Sequence, residues 1–297
     1  MKKLKNILYE FLRNQLKKEF TKNLGKVVEE SDKIICYVDK NKIGNKKKLI
    51  ICSGINDHNR VLANSYKLNK QIIYIFENLK IKNKIIYGYD NCDIIIKNCK
   101  FNSELNLTNN GNCIINDTYI SSYNSLTLMA NKINIKNSKI QNEFYSIHER
   151  LNISIYSNER IDIIDSKIGK KDDNTILSIR AKEAHILNSE FENSDINIKA
   201  PIFKSDENSK ISGNNKISIN SDKIEISKLN TPYLIINGEK ITHSFDECSI
   251  NSEISSIQSK RCEFIKLLKE LKNQCNRLIE DDINKLYNEP ISKKLTK

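Results

Sequence analysis

The chain has no tryptophan, only 3 prolines and only 8 glycines among its 297 residues. So little Gly and Pro excludes a collagen-like or loop-dominated protein. No apolar run approaches the ~20 residues that a bilayer-spanning helix needs. The eight cysteines (36, 52, 92, 99, 113, 248, 262 and 275) include no C-x-x-C pair, so the common zinc spacings are missing. There is no G-x-S-x-G, no P-loop and no G-x-G-x-x-G. His148-Glu149 opens an H-E-x-x-H, but Asn152 stands where the second His would be. No cofactor and no metal is expected. The first 20 residues alternate charged and apolar side chains, unlike the unbroken apolar stretch of a secretory signal. These features predict a cytoplasmic protein with reduced, structural thiols.

Three residue types dominate: 50 Ile, 42 Lys and 41 Asn. Hydrophobic content of 38% suffices for a core if the apolar residues are periodic. The net charge of +12 is uneven, with +6 in residues 1–26, +3 in 251–297 and only +3 in the 224 residues between. A basic contact surface is therefore expected at the N-terminus, and the near-neutral body disfavours a nucleic-acid partner. The short run Lys46, Lys47, Lys48 has no aromatic platform beside it of the kind single-strand binders use.

The periodicity is explicit. DIIIKNCKF (93–101), NCIINDTYI (112–120), KINIKNSKI (132–140), RIDIIDSKI (160–168) and EAHILNSEF (183–191) share one pattern: apolar-x-apolar-x-[N/D]-[S/T/C]-x-apolar. The first apolar column is Ile94, Cys113, Ile133, Ile161 and Ala184, and the next is Ile96, Ile115, Ile135, Ile163 and Ile186. Residues two apart share one face of a strand. Asn98, Asp117, Asn137, Asp165 and Asn188 then supply a bend, because Asn and Asp tolerate the left-handed conformation. Phe101, Ile120, Ile140, Ile168 and Phe191 turn inward again.

A second short strand follows in each unit: LNL (105–107), LTL (126–128), LNISI (151–155), TILSI (175–179), INI (196–198) and ISI (217–219). Units begin at 94, 113, 133, 161 and 184. A repeat this short cannot bury its apolar face alone, so stacked coils, a β-solenoid, are predicted. KIICYV, KLIIC and QIIYIF read as early coils, and IEISKL (224–229) and YLIING (233–238) as late ones. The unit resembles the right-handed parallel β-helix of the pectate-lyase-like superfold, whose two-residue turn carries a similar asparagine ladder. A second resemblance is to bactofilin-type cytoskeletal solenoids, although their Gly-rich coils are missing. The resemblance implies an all-β, right-handed parallel β-helix over 27–250.

Both ends read as helices. Residues 1–26 place Leu4, Ile7, Leu8, Phe11, Leu12, Leu16 and Phe20 on one face. This amphipathic helix is expected to cap the first coil or to lie on an anionic membrane surface, making the protein peripherally membrane-associated. Residues 251–297 are expected to hold a C-terminal helix, over 255–288, and a tail. There Phe264, Leu268, Leu271, Cys275 and Leu278 form a short coiled-coil seam for a homo-oligomer.

Catalytic signals are sparse. Enzymes of the resembling superfold carry carboxylates on one outward strand face. Here that face reads Asn106, Thr127, Asn152, Ser154, Ser178, Asn197 and Ser218, none of which ionises near neutral pH. Two excursions at one corner, QNEFYSIHER (141–150) and GKKDDN (169–174), supply the only candidates: Glu143, Tyr145, His148, Glu149, Arg150, Asp172 and Asp173. The sequence thus favours a non-enzymatic scaffold that self-assembles or binds partners through its helical ends. The alternative is a carbohydrate-binding or carbohydrate-modifying β-helix with its site at those two loops.

Overall fold

In a computed structural model, the described residues are 2–44, 48–52, 70–90, 92–122, 125–142, 151–170, 174–226, 228–231, 233–237, 240–242, 249–251, 254–258 and 261–262. Helix α1 (Lys2–Asn23) leads into strand β1 (Gly25–Glu29), which pairs antiparallel with β2 (Lys33–Val38). Every later pairing is parallel, joining strands of successive coils. The chain is a parallel β-solenoid.

Each regular coil contributes to three sheets. A pre-bend strand, such as Cys92–Lys97, leads to the Asn/Asp bend. A post-bend strand follows (100–102), and a closing strand (104–109) returns the chain. In the pre-bend sheet Ile94 stacks on Cys113, Ile133, Ile161 and Ala184, and Ile96 on Ile115, Ile135, Ile163 and Ile186. In the post-bend sheet Phe101, Ile120, Ile140, Ile168 and Phe191 stack likewise. All of these side chains are buried. The core is thus a set of ladders running the length of the solenoid. Each added rung removes apolar surface that a single coil would leave wet, at roughly 25 cal/mol per Å².

Of the early and late coils expected, KIICYV is the second strand of the β1–β2 hairpin and pairs in parallel with QIIYIF, and strands within KLIIC, IEISKL and YLIING join the same parallel stack. In the first coil a short helix, α2 (Lys40–Ile43), replaces the bend; Asp39 caps it by accepting a hydrogen bond from the Asn41 amide at 2.8 Å. The C-terminal boundary is corrected. Strands continue through Ile254–Gln258 and Arg261–Cys262, inside the span expected to be helical from 255. Tyr233 pairs with Ile254 and Lys240 with Arg261, so stacking onto the previous coil overrides the local helical pattern. The seam residues Phe264, Leu268, Leu271, Cys275 and Leu278 lie outside the described residues.

Candidate functional site

The bend is the most regular outward feature. Asn78, Asn98, Asp117, Asn137, Asp165 and Asn188 all have φ between 46° and 57°, the left-handed region that Asn and Asp enter at least cost. Their side chains form a ladder. Asn98 Nδ2 donates to Asn78 Oδ1 (2.6 Å), Asn137 Nδ2 to Asp117 Oδ1 (2.6 Å) and Asn188 Nδ2 to Asp165 Oδ1 (2.7 Å). Beside it runs a hydroxyl column. Ser138 Oγ accepts from the Thr118 amide (3.1 Å) and donates to Lys136 O (2.7 Å), and Ser166 and Ser189 repeat the arrangement. The small hydroxyl is therefore required at this buried position because it satisfies two backbone groups that the bend takes out of the ladder.

Along the outside of this corner lies a groove of about 690 Å³. One wall is the ladder (Asp117, Asn137, Asp165 and Asn188), and the other is the row that opens the post-bend strands: Tyr119, Lys139, Lys167, Glu190 and Lys210. Strand register extends that row to Lys100 and Lys80. Successive members are about 4.8 Å apart, the strand spacing. Lys100 and Lys139 lie over the Tyr119 ring, 5.1 and 5.9 Å from its centroid. Lys167 binds Glu190 (2.8 Å) and Glu192 (2.6 Å). Burial opposes the Lys167 charge, but these two carboxylates outweigh it and hold the ammonium above its ordinary range. The Lys167 ammonium in turn lowers the Glu190 carboxyl.

The outward face of the closing sheet forms a straight row in register: Asn106, Thr127, Ser154, Ser178, Asn197 and Ser218. A neighbouring row runs Asn152, Ile176, Asp195 and Lys216, so charged groups flank the neutral one. The loop candidates Glu143, Tyr145, His148, Glu149, Arg150, Asp172 and Asp173 lie outside the described residues. The strands that flank the two loops are direct neighbours, with Ile140 paired to Ile168 and Leu151 to Thr175. Gly169, at that corner, has φ 91°, and a Cβ there would meet Glu192 O at 2.0 Å. Among the described residues, no cluster of His, Cys, Asp and Glu could hold a metal ion.

No family model, no curated protein and no solved structure matches this chain.

His185 belongs to a charge network: its Nδ1 lies 3.5 Å from Asp162 Oδ1, beside Arg160 and Glu183. Burial, reinforced by the Arg160 charge, pushes its imidazole below the ordinary value. Cys99 takes the hydroxyl's place in the bend column and Cys113 sits in the core ladder. Burial pushes the Cys113 thiol up to about 12, so it is an inert packing group. The lysine row was hidden in the unspecified position after Ser, Thr or Cys. NLKI, NCKF, NSKI, DSKI and again NSKI (208–211) show it once the units are aligned.

At the N-terminus, α1 has two different halves. Phe20 is 4% exposed, enters the core and packs on Tyr74 with ring centroids 5.7 Å apart. Glu29 on β1 gathers Arg13 (3.6 Å), Lys17 and Lys70 (2.6 Å). Hydrogen bonds from Lys17 and Lys70 lower its carboxyl from 4.5 to about 2. Towards the other end, Ile7 and Phe11 are 60% and 55% exposed. No described helix is long and apolar enough to cross a membrane.

Proposed function

We propose that this protein is a structural, non-catalytic β-solenoid that attaches to an anionic membrane surface through α1. One observation carries the reading: the helix is anchored at Phe20 yet keeps Ile7 and Phe11 in solvent. A helix serving only as a cap would spend its aromatic residues on the coil beneath. Residues 1–26 hold half the net charge, and each basic residue near an anionic leaflet contributes about 1 kcal/mol. The neutral amide and hydroxyl row on the closing sheet supports the absence of acid–base chemistry there. We further infer right-handed winding, the hand that parallel crossovers adopt almost without exception. The proposal extends to a cytoplasmic location and to self-association through Phe264, Leu268, Leu271 and Leu278. A carbohydrate-binding or carbohydrate-modifying site at the 141–150 and 169–174 loops is the second reading, favoured by the pairing of the strands that flank them.

Co-sedimentation of the full chain with anionic and neutral vesicles tests the attachment. Anion-dependent binding that weakens about ten-fold in Ile7→Ser/Phe11→Ser is expected, since 1.4 kcal/mol of lost insertion suffices. A full chain that ignores anionic vesicles overturns it. Turnover of an acidic polysaccharide that is lost in Asp172→Asn or Glu149→Gln would overturn the non-catalytic reading.

A further inference from the structure

The outward face of the pre-bend sheet changes character along the solenoid. One column of it, paired strand to strand, runs Tyr37, Ile75, Ile95 and Ile114, and then Asn134, Asp162, His185, Lys204 and Glu225. Strand alternation turns this column away from the core. Tyr37 is 37% exposed and the three Ile side chains are half-buried, as is Ile73 beside them. The helix α1 is held on the opposite face of β1, where Val27 packs against the core and Glu29 gathers Arg13 and Lys17. The first four coils of the column thus carry a continuous apolar stripe on the outside of the solenoid, and the later coils carry none.

We propose that this stripe is the interface of a two-fold dimer, in which a second copy of the chain lies face to face on the first. The repeat selects the occupant. Side chains at intervals of about 4.8 Å make a ridged surface, and a second stack of coils offers ridges at the same interval, at the separation of about 10 Å usual for packed sheets. A two-fold axis parallel to the strands, midway between Ile75 and Ile95, sets Ile75 against the partner's Ile95 and Tyr37 against the partner's Ile114. The same axis sets Glu77 against the partner's Lys97. Within one copy Glu77 and Lys97 are neighbours in register, 3.8 Å apart, so the rim of the stripe is self-complementary in charge. Overlap then extends from β1 to the strand of Asn134, roughly 29 Å by 20 Å. That covers about 1,100 Å² in total, just above the ~1,000 Å² expected of a specific interface. The column turns polar at Asn134, where the overlap ends, and Asp162, His185, Lys204 and Glu225 stay in water. An anionic membrane fits this face poorly, because the carboxylates of Asp93 and Glu77 border the stripe. The interface involves neither α1 nor residues 264–278, so it is independent of the membrane attachment and of the self-association proposed above.

Sedimentation velocity of the full-length protein over a concentration series tests the interface. A reversible dimer is expected. Ile75→Asp and Ile95→Lys should each weaken it by about ten-fold or more, while Ile7→Ser/Phe11→Ser on α1 and Leu271→Lys/Leu278→Lys at the C-terminal seam should leave it in place. An equimolar mixture of the Ile75→Asp and Ile95→Lys proteins should dimerise again, because the axis brings those two positions together. A parent chain that stays monomeric at every concentration would overturn the proposal. So would a dimer that survives Ile95→Lys but is lost in the seam variant, or a mixture that stays monomeric. Vesicle binding by a monomeric parent that is lost in Ile95→Lys would assign the face to lipid and equally overturn it. If either charged variant melts lower than the parent, Ile75→Asn and Ile95→Asn replace the pair, since the same column already carries Asn134. Each should weaken the dimer about ten-fold, and a dimer unchanged in both would sink the idea.

Discussion

Two bends at the same corner are built differently. From Asn98 to Asp165, each left-handed residue donates its amide to a backbone carbonyl of the next coil, as Asn137 does to Ile164 O at 3.0 Å. At Asn188 the next coil contains one extra residue between Phe203 and Ser209. There the Asp206 carboxylate takes the carbonyl's place and receives the Asn188 amide at 2.9 and 3.0 Å. Asp206 also accepts from Ser209 Oγ at 2.5 Å, and Ser209 keeps its place in the hydroxyl column by accepting from the Ser189 amide at 3.2 Å. The left-handed Asn is absent from that coil, but the buried hydroxyl is retained. What the corner demands is a partner for every inward-facing amide, and a two-residue bend is only one way to supply it.

The largest test strikes the ladder that both bends serve. Ile135→Asp places a carboxylate between Ile115 and Ile163 in a dry core and should cost about 4 kcal/mol or more, whereas Asn134→Asp, on the outward face, should cost under about 0.5 kcal/mol. Urea midpoints would show the contrast; equal loss would mean that inside and outside are exchanged. Next comes the hydroxyl column. Ser138→Val strands the Thr118 amide and Lys136 carbonyl, and Ser209→Val strands the Ser189 amide, so each should cost about 1–3 kcal/mol. If only Ser138 mattered, the irregular bend would not depend on its hydroxyl.

The backbone conformation is a smaller effect. Asn137→Val forces a β-branched residue to φ 47° and should cost about 2 kcal/mol, while Asn137→Gly should cost under about 1 kcal/mol. Equal damage from the two would place the importance in the side-chain ladder instead. Asp206→Ala should cost still less, about 1 kcal/mol, because the exposed Asn188 amide can turn to water. The mildest is acid. Glu29 has a depressed carboxyl, so its contribution is complete above its ordinary value of 4.5 and disappears as pH falls towards about 2. Amide exchange in the Arg13–Phe20 stretch of α1 should accelerate through that window before the coils melt; simultaneous loss would show that the helix is not held by Glu29.

The inward Ile columns and the Asn/Asp bends were legible because strand geometry forces a spacing of two and the bend forces a residue type. Asn78 escaped because Leu79 stands where the pattern demands Ser, Thr or Cys, although the Leu fills the same buried position. The coil at Phe203 escaped because one inserted residue broke the alignment. The strand at 254–258 was misread because Leu and Ile spacing further along suggested a helix, and nothing local reveals that Tyr233 and its neighbours offer a stacking edge. The lysine row was unreadable for another reason: a solvent-facing position is free to vary in type, so its significance appears only when register places its members side by side.

The ladder at the bend also constrains how this architecture can change over evolutionary time. Its side-chain bonds join coils two by two, Asn98 to Asn78, Asn137 to Asp117 and Asn188 to Asp165. Loss of the single coil that carries Asn137 would bring Asp117 and Asp165 into adjacent positions, two carboxylates with no donor between them. Loss of the Asp117 and Asn137 coils together would leave Asn98 beside Asp165, a compatible pair. Loss of the Asp117 coil alone would leave Asn98 beside Asn137, an amide pair like that of Asn98 and Asn78, so the coils of this solenoid are unequal as units of deletion: the Asn137 coil is held in place by the carboxylates on either side of it.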